Sequence, residues 1–278
     1  MKLLKIFIIP VAAALFGCTD YPIYDLAQPV SKKSILLITD WTNRGSNIDI
    51  PTSYTVKIGD SSTTLSGTTN SVENLFADAG QYTINVWNTV DNITVSDKTA
   101  TADYKAGELG WFFTGKQEVT IKKDSDYSIT VPMQQQVRQL TLKLDITGDA
   151  KDYLKSINAS LSGVAGTLNI DNGTHGTPAD VALTFYEDPS DGTRKATIRL
   201  LGMTDKAQTL TLALSFSGGD SSPYILNSDM SSLLAGFNED KKTPLTLSTR
   251  LVATLADEEF TATISNWIPG DASTGIAE

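Results

Sequence analysis

The chain has 278 residues and carries 22 lysines and arginines against 32 aspartates and glutamates, a formal net charge of −10. An acidic chain lacks the basic surface that binds nucleic acid or adheres electrostatically to anionic lipid, so its charge argues against both partners. The length indicates one or two domains and is ample for a buried core.

Residues 1–17 have the pattern of an export signal. They begin with two lysines, Lys2 and Lys5, and continue with an apolar run from Ile6 to Phe16. A basic start, an apolar run of about a dozen residues and a small residue before the cleavage point are typical of a secretory signal peptide. Because the run is shorter than the roughly 20 apolar residues that span a bilayer, we predict that this segment is removed on export.

Cys18 is the only cysteine of the chain and follows this segment directly. The sequence Leu15-Phe16-Gly17-Cys18 resembles the lipobox of bacterial lipoproteins, in which the signal peptidase cuts before the cysteine and the thiol carries diacylglycerol. The resemblance implies acyl chains such as palmitate on Cys18 that tether the protein to the cell envelope. The alternative is a small buried hydrophobe inside a plain signal peptide. We favour lipidation, because the cysteine lies where the apolar run ends.

The residues after Cys18 divide into a tether and a series of predicted strands. Residues 18–33 contain two prolines and no hydrophobic period, which is typical of a tether. The rest is rich in Thr, Val, Ile and Tyr, and segments such as TLKLDI (141–146) alternate polar and apolar residues as half-buried strands do. The predicted strands are 34–41, 54–60, 80–88, 117–123, 126–133, 138–148, 156–163, 180–187, 193–202, 208–218, 245–255 and 258–267.

Turns and a proline divide this series into two parts. The segments 170–177 and 188–193 carry Asp or Asn before Gly, as hairpin turns do. Two short helices are predicted, at 149–157 and 227–238. A strand ends near Pro132 and a new alternating strand follows. We therefore predict an all-β fold of two tandem, mostly antiparallel β-sandwich domains, one of residues 34–135 and one of residues 136–278.

The inventory of reactive side chains argues against an enzyme. The only histidine, His175, lies between glycines in a predicted turn, where a solvated loop position is expected. One histidine and one cysteine cannot form the usual zinc sites. The acidic run Asp257, Glu258 and Glu259 does not fit a twelve-residue calcium loop. Paired carboxylates for glycoside hydrolysis stay open, although no sequence feature selects a pair. We predict no catalytic residues, no metal site and no cofactor.

Three adjacent aromatic residues, Trp111, Phe112 and Phe113, lie between glycines and form a candidate ligand-stacking site. Exposed aromatic rings of this kind often mark binding surfaces, here for a sugar. The alternative is that the rings close one end of a sandwich, with at most one of them exposed. We favour the alternative.

A candidate proteolytic processing site lies at Arg44 and Gly45, in the predicted loop after the first strand. An exposed loop with a glycine is where a trypsin-like protease cuts. The alternative is an ordinary solvated arginine. Cleavage would free the first strand, predicted to be an edge strand, and open an apolar groove for a strand of another chain.

The layout of the chain resembles the fimbrillin superfamily of Bacteroidetes, in particular its anchor-type and tip-type minor subunits. The resemblance rests on Cys18 and its tether, on the first strand ending in Asp40-Trp41, and on the segments AGQYTINVWN (79–88) and FTATISNWIPGD (260–271). It implies two transthyretin-like β-sandwich domains on a lipoprotein of type V pili that is anchored in the outer membrane through its N-terminal lipid and exposed at the cell surface. It also implies partners among other fimbrial subunits, bound by donor-strand exchange after cleavage at Arg44 in stalk subunits. Anchor subunits keep both lipid and first strand.

The sequence as a whole predicts a non-enzymatic surface lipoprotein that acts in pilus anchoring, pilus assembly or adhesion to a host or glycan ligand. The segment after Trp267 is poor in strand-forming residues and would make a weak donor strand, which favours an anchor, a tip or a stand-alone lipoprotein over a stalk subunit. The alternative function is glycan binding in a polysaccharide-uptake system.

Overall fold

The computed structural model describes residues 35–72, 79–122, 125–218, 222–256 and 259–270. The predicted signal peptide, Cys18 and the tether lie outside these residues. Within the described ranges no helix is long and apolar enough to cross a membrane. The strands are β1 (Ile35–Asn43), β2 (Ser53–Ile58), β3 (Ser61–Ser66), β4 (Thr69–Val72), β5 (Gly80–Trp87), β6 (Ile93–Ser96), β7 (Thr99–Ala102), β8 (Phe113–Ile121), β9 (Tyr127–Gln135), β10 (Arg138–Thr147), β11 (Leu154–Asn169), β12 (His175–Thr184), β13 (Tyr186–Glu187), β14 (Arg194–Leu200), β15 (Thr209–Phe216), β16 (Tyr224–Asp229), β17 (Leu245–Ala256), β18 (Glu259–Ile264) and β19 (Ile268–Pro269).

The all-β class is confirmed, and each predicted strand overlaps an observed one. The helix predicted at 149–157 is wrong, because only a 3₁₀ turn forms there (Lys151–Tyr153) before β11 begins. Strand pairing of β11 with β15 takes up the backbone groups that a helix would need. The helix predicted at 227–238 is reduced to one turn, α1 (Ser231–Leu234), because its first residues pair in β16 with β15.

A rolled sheet forms the first part of the fold. Its seven strands lie in the order β3-β2-β5-β8-β9-β1-β4, and the β1–β9 pair is parallel. The two edge strands, β3 and β4, are joined by only Gly67 and Thr68, which span at most about 10 Å. Thr39 N–H donates to Thr68 C=O at 2.9 Å. The two edge strands therefore come together at this end, and the sheet curls around its own core.

Two further sheets enclose the core of the second part. One has the order β13-β14-β10-β17-β18, with β19 beside β17, and the other has the order β16-β15-β11-β7-β6, with β12 beside β11. The alternating side chains of β10 face inward as predicted, with Leu142 and Leu144 fully buried. The predicted turns at 170–177 and 188–193 join β11 to β12 and β13 to β14, with Gly173 and Gly192 at positive φ.

One hairpin departs from the predicted division into residues 34–135 and 136–278. The strands β6 and β7 belong to the first part by sequence, but β7 pairs with β11 in a sheet of the second part. A third core forms between the two parts as a result. It contains Ile93, Ala100, Leu109, Phe112, Val137, Leu168 and Leu201. The first part is therefore not self-contained, because its hairpin is buried against its neighbour.

We expect Phe112→Ala to lower the free energy of unfolding by about 3–5 kcal/mol, because the ring is completely buried in the core between the two parts. Guanidinium denaturation followed by tryptophan fluorescence measures the change. Tyr186→Ala is the control, since Tyr186 is 69% exposed and should cost no more than about 0.5 kcal/mol. Equal losses in the two variants would contradict this role of Phe112.

Candidate functional site

The first strand, β1, lies inside its sheet rather than at an edge as predicted. It pairs antiparallel with β4 and parallel with β9, so Leu37 lies opposite both Asn70 and Ile129. Alternate side chains face the core, and Ile35 and Leu37 are almost completely buried. Removal of β1 would therefore unpair two neighbours at once and leave an apolar channel between β9 and the edge strand β4.

Trp41 fixes the far end of β1. Its indole N–H donates to Thr39 Oγ1 at 2.8 Å, and its ring meets Phe113 edge to face at 5.4 Å and Tyr54 at 6.5 Å between centroids. Asn70 on β4 donates to the Tyr54 hydroxyl at 2.7 Å, and burial raises the pKa of Tyr54. Strands β1, β2, β4 and β8 are thus joined through this aromatic contact.

Arg44 and Gly45 are held in place rather than exposed in a free loop. Gly45 is buried, and its N–H donates to Gln135 Oε1 at 2.8 Å. The Arg44 guanidinium donates to the carbonyl groups of Ile48 at 2.9 Å and Trp41 at 3.1 Å. A Cβ atom on Gly45 would lie 2.8 Å from Lys242 C=O. The expectation of an open loop is therefore wrong, and a protease must first unfold this segment to reach the Arg44–Gly45 bond.

Gln135 is the central polar residue of this junction. Its Oε1 accepts from Gly45, while its Nε2 donates to Val137 C=O at 2.8 Å and to Lys241 C=O at 2.6 Å. Lys241 Nζ in turn donates to Gln136 Oε1 at 2.7 Å, and burial lowers the pKa of Lys241 to about 8. The sequence analysis missed this network. The one signal is that Gln135 continues the buried alternation of β9 after Ile129, Val131 and Met133.

Further buried polar side chains bind backbone atoms across the same region. Arg138 donates to Thr243 C=O at 2.7 Å and to Phe237 C=O at 3.0 Å, and its guanidinium carbon lies 5.1 Å from the centre of the Phe237 ring. Burial lowers the pKa of Arg138. The Tyr104 hydroxyl donates to Ala165 C=O at 2.9 Å. Buried charge and hydroxyl groups thus have partners here, as stability requires.

His175 is half-buried at the start of β12, which corrects the expectation of a solvated loop position. Its Nε2 lies 3.2 Å from Leu201 C=O, and its ring packs against Gly202, where a Cβ atom would lie 2.4 Å from the ring. Burial lowers the pKa of His175 to about 4, and the charge of Lys241 adds to this effect. The imidazole is therefore neutral at pH 7.

The three candidate stacking aromatics point to different places. Phe113 is buried in the core of the rolled sheet and Phe112 in the core between the two parts. Trp111 is half-buried, with the Arg199 guanidinium 5.1 Å from its ring centre. Arg199 also pairs with Glu108 at 2.5 Å and thereby lowers the pKa of Glu108. A flat platform of three rings does not exist, because two rings are fully buried and a cation covers the third.

Within the residues that the structure describes, no cluster of three or more His, Cys, Asp or Glu side chains could hold a metal ion. The junction is instead built from amide and guanidinium groups that bind backbone carbonyls and from the Lys241 ammonium group, which binds the side-chain oxygen of Gln136. Such an arrangement fixes the position of a strand and of two domains.

Comparisons with known proteins give one family and one group of related folds. The sequence matches the family of fimbrillin-A associated anchor proteins Mfa1 and Mfa2 over residues 49–270. No match arises among curated proteins. The structure is similar to a candidate adhesin from Bacteroides ovatus (16% identity, TM-score 0.61, covering 84% of this chain and 93% of that chain). It is also similar to the fimbrial anchor protein Mfa2 from Porphyromonas gingivalis (14% identity, TM-score 0.56, covering 85% of this chain and 98% of that chain). A third similar structure is a candidate polysaccharide-binding protein from Bacteroides thetaiotaomicron (10% identity, TM-score 0.53, covering 88% of this chain and 100% of that chain).

We expect Gln135→Leu to make the Arg44–Gly45 bond sensitive to protease. The substitution leaves Gly45 N–H and Lys241 C=O without their partner, which costs about 1–3 kcal/mol. The equilibrium constant for local opening should therefore rise by roughly tenfold or more. Limited trypsin digestion under native conditions, with mass spectrometry of the new N-terminus at Gly45, measures the rate. Gln134→Leu is the matched control, since the neighbouring Gln134 is exposed. Equal cleavage rates in the two variants would remove Gln135 from this role.

We expect the free energy of unfolding to fall between pH 7 and pH 5 because of His175. Its pKa is about 4 in the folded chain but about 6.5 when unfolded, so the unfolded state binds the extra proton first as the pH falls. The loss should be about 1–2 kcal/mol at pH 5, allowing for solvent screening of a half-buried group. Urea denaturation of the wild type and of His175→Gln at both pH values tests this. The expectation fails if the variant loses as much stability as the wild type.

Proposed function

Because the chain belongs to the family of fimbrillin-A associated anchor proteins, we propose that it is an anchor-type fimbrial subunit that keeps its first strand and its lipid. A cell-surface, fimbrial role follows from the family itself. The proposal that it is an anchor subunit adds three statements to this role. The acyl chains on Cys18 hold the protein to the outer membrane, β1 stays in its sheet, and contact with neighbouring fimbrial subunits is made by strand addition. The protein performs no catalysis.

The observation that carries the anchor assignment is the position of β1 and of the bond that follows it. A stalk-type subunit accepts another chain's strand only after its own first strand has left the sheet. Here β1 is paired on both sides, and Gly45 is buried against Gln135 and the backbone of Lys242. Both features oppose cleavage and release. The groove is therefore filled by the chain's own strand.

The C-terminal end supports the same assignment. β19 pairs with β17 at Leu247 and Ser248, and Gly270 N–H donates to Thr246 C=O at 2.9 Å. The segment up to Gly270 is thus engaged in its own sheet, and its use as a donor strand would first require loss of these bonds. We propose that the chain terminates a fimbria rather than extending it in both directions.

The N-terminus of the cell-associated protein tests the proposal. Mass spectrometry of envelope fractions should find Cys18 as the first residue, carrying acyl chains, with the peptide across Arg44 and Gly45 intact. Cys18→Ser should abolish acylation and shift the protein out of the membrane fraction, because a hydroxyl cannot receive the thioether-linked lipid.

Two results would contradict the anchor assignment. A new N-terminus at Gly45 would indicate processing of the stalk type. The second result has two parts: Cys18 is unmodified, and the wild type and Cys18→Ser are retained equally in the membrane fraction. It would show that the protein has no lipid anchor at Cys18. Arg44→Ala is the control for the first result, since it removes the trypsin-like cleavage site while leaving Cys18 unchanged.

A further inference from the structure

A cleft of about 340 Å³ lies between the outer face of the rolled sheet and the β6–β7 hairpin. Its floor is formed by Lys57 on β2 and by Asn85 and Trp87 on β5, where Lys57 and Asn85 are direct strand neighbours. The turn of the hairpin, Asp97 and Lys98, forms the opposite wall. The volume falls in the range of small-molecule sites.

The cleft exists because the two parts of the fold are docked. Lys57 pairs with Asp97 at 3.1 Å, which links the sheet to the hairpin. Asp171, in the turn after β11, pairs with Lys98 at 2.9 Å and with Lys116 at 2.7 Å, and these two ammonium groups lower its pKa. The walls of the cleft are thereby held at a fixed separation.

Asn85 is unusual because its side-chain oxygen is buried and has no hydrogen-bond donor. Over the residues that the structure describes, Oδ1 of Asn85 is the one buried side-chain nitrogen or oxygen atom in this state. An acceptor of this kind without a partner costs stability that an apolar side chain would not, so a water molecule or a ligand is expected to donate to it. The Asn85 side chain lines the cleft, and ligand binding requires a rotation about its broad terminal torsion that brings the oxygen to the cleft surface.

The other groups of the cleft define the chemistry of a ligand. Trp87 is half-buried and offers an apolar ring surface beside the amide of Asn85. The charged residues that line the cleft are two lysines, Lys57 and Lys98, and two aspartates, Asp60 and Asp97, so their charges cancel. A phosphate or sulfate would therefore gain little, whereas a ring with an apolar face and several hydroxyl groups matches both the indole and the mixed donors and acceptors.

We propose that this cleft binds one unit of a neutral carbohydrate, with a hydroxyl group donating to Asn85 Oδ1 and the sugar ring lying on Trp87. A second cleft of about 410 Å³ continues along the sheet and shares Gln81, Tyr82 and Thr83 with the first. A second sugar unit fits there, so the ligand is an oligosaccharide rather than a single sugar. The site lies away from β1 and from Arg44, and it is independent of how fimbrial subunits assemble.

The test uses the full-length chain purified in detergent and an array of neutral, sialylated and sulfated oligosaccharides. The best neutral oligosaccharide is then titrated calorimetrically against the wild type, Asn85→Leu and Lys57→Met. Asn85→Leu should weaken binding by about tenfold or more while its melting temperature stays equal or rises, because the orphan acceptor is gone. Lys57→Met should weaken binding with little effect on melting. Asn158→Leu, at an exposed position of β11, is the matched control and should bind like the wild type.

Three results would overturn the proposal. The first is that no neutral oligosaccharide binds the wild type. The second is that Asn85→Leu and Lys57→Met bind as the wild type does. The third is a lower melting temperature of Asn85→Leu, which would assign its amide a structural role through bound water. None of these depends on the N-terminus found in envelope fractions, so a failure here is distinguishable from a failure of the anchor assignment.

Discussion

Strand β7 pairs with β11 where Thr99, Ala100 and Thr101 lie opposite Asn169, Leu168 and Thr167. Through this pairing a hairpin from the N-terminal half completes a sheet of the C-terminal half. The core around Phe112, the junction at Gln135 and the ion pairs of Asp171 all lie at the surface that this pairing brings together. The two sandwiches therefore act as one body, since separating them would expose apolar side chains and unpair backbone groups together.

The junction is stabilised mainly by hydrogen bonds from side chains to backbone carbonyls. Gln135, Arg138 and Tyr104 each reach a carbonyl group more than 60 residues away in sequence. These three bonds are part-buried, so salt screens them less than it would screen a contact at the open surface. They also restrict the relative position of the two parts, since a buried donor or acceptor that misses its partner costs more than the bond itself contributes.

The sequence predicted the long strands well because their hydrophobic alternation is strong, as in β10 and β17. It did not predict β3, β4, β6 and β7, whose sequences SSTTLS, TNSV, ITVS and TATA are short and mostly polar. These strands are fixed by their partners rather than by burial of one face, so no local pattern reveals them. The local sequence likewise does not reveal the junction around Gly45 and Gln135. Nothing local shows that Gly45 is buried, because the atoms that cover it come from Gln135 and Lys242, 90 and 197 positions away.

The parallel pairing of β1 with β9 has a mechanical consequence. If the chain is tethered through its N-terminus, tension enters at Ile35 and leaves through the end of β9 at Gln135 toward the second domain. Because the two strands run in the same direction over the register from Ile35–Tyr127 to Asn43–Gln134, this tension shears the ladder and loads its hydrogen bonds together. An antiparallel neighbour pulled from the same end would be peeled one bond at a time. The topology thus suits a protein that holds a filament against drag.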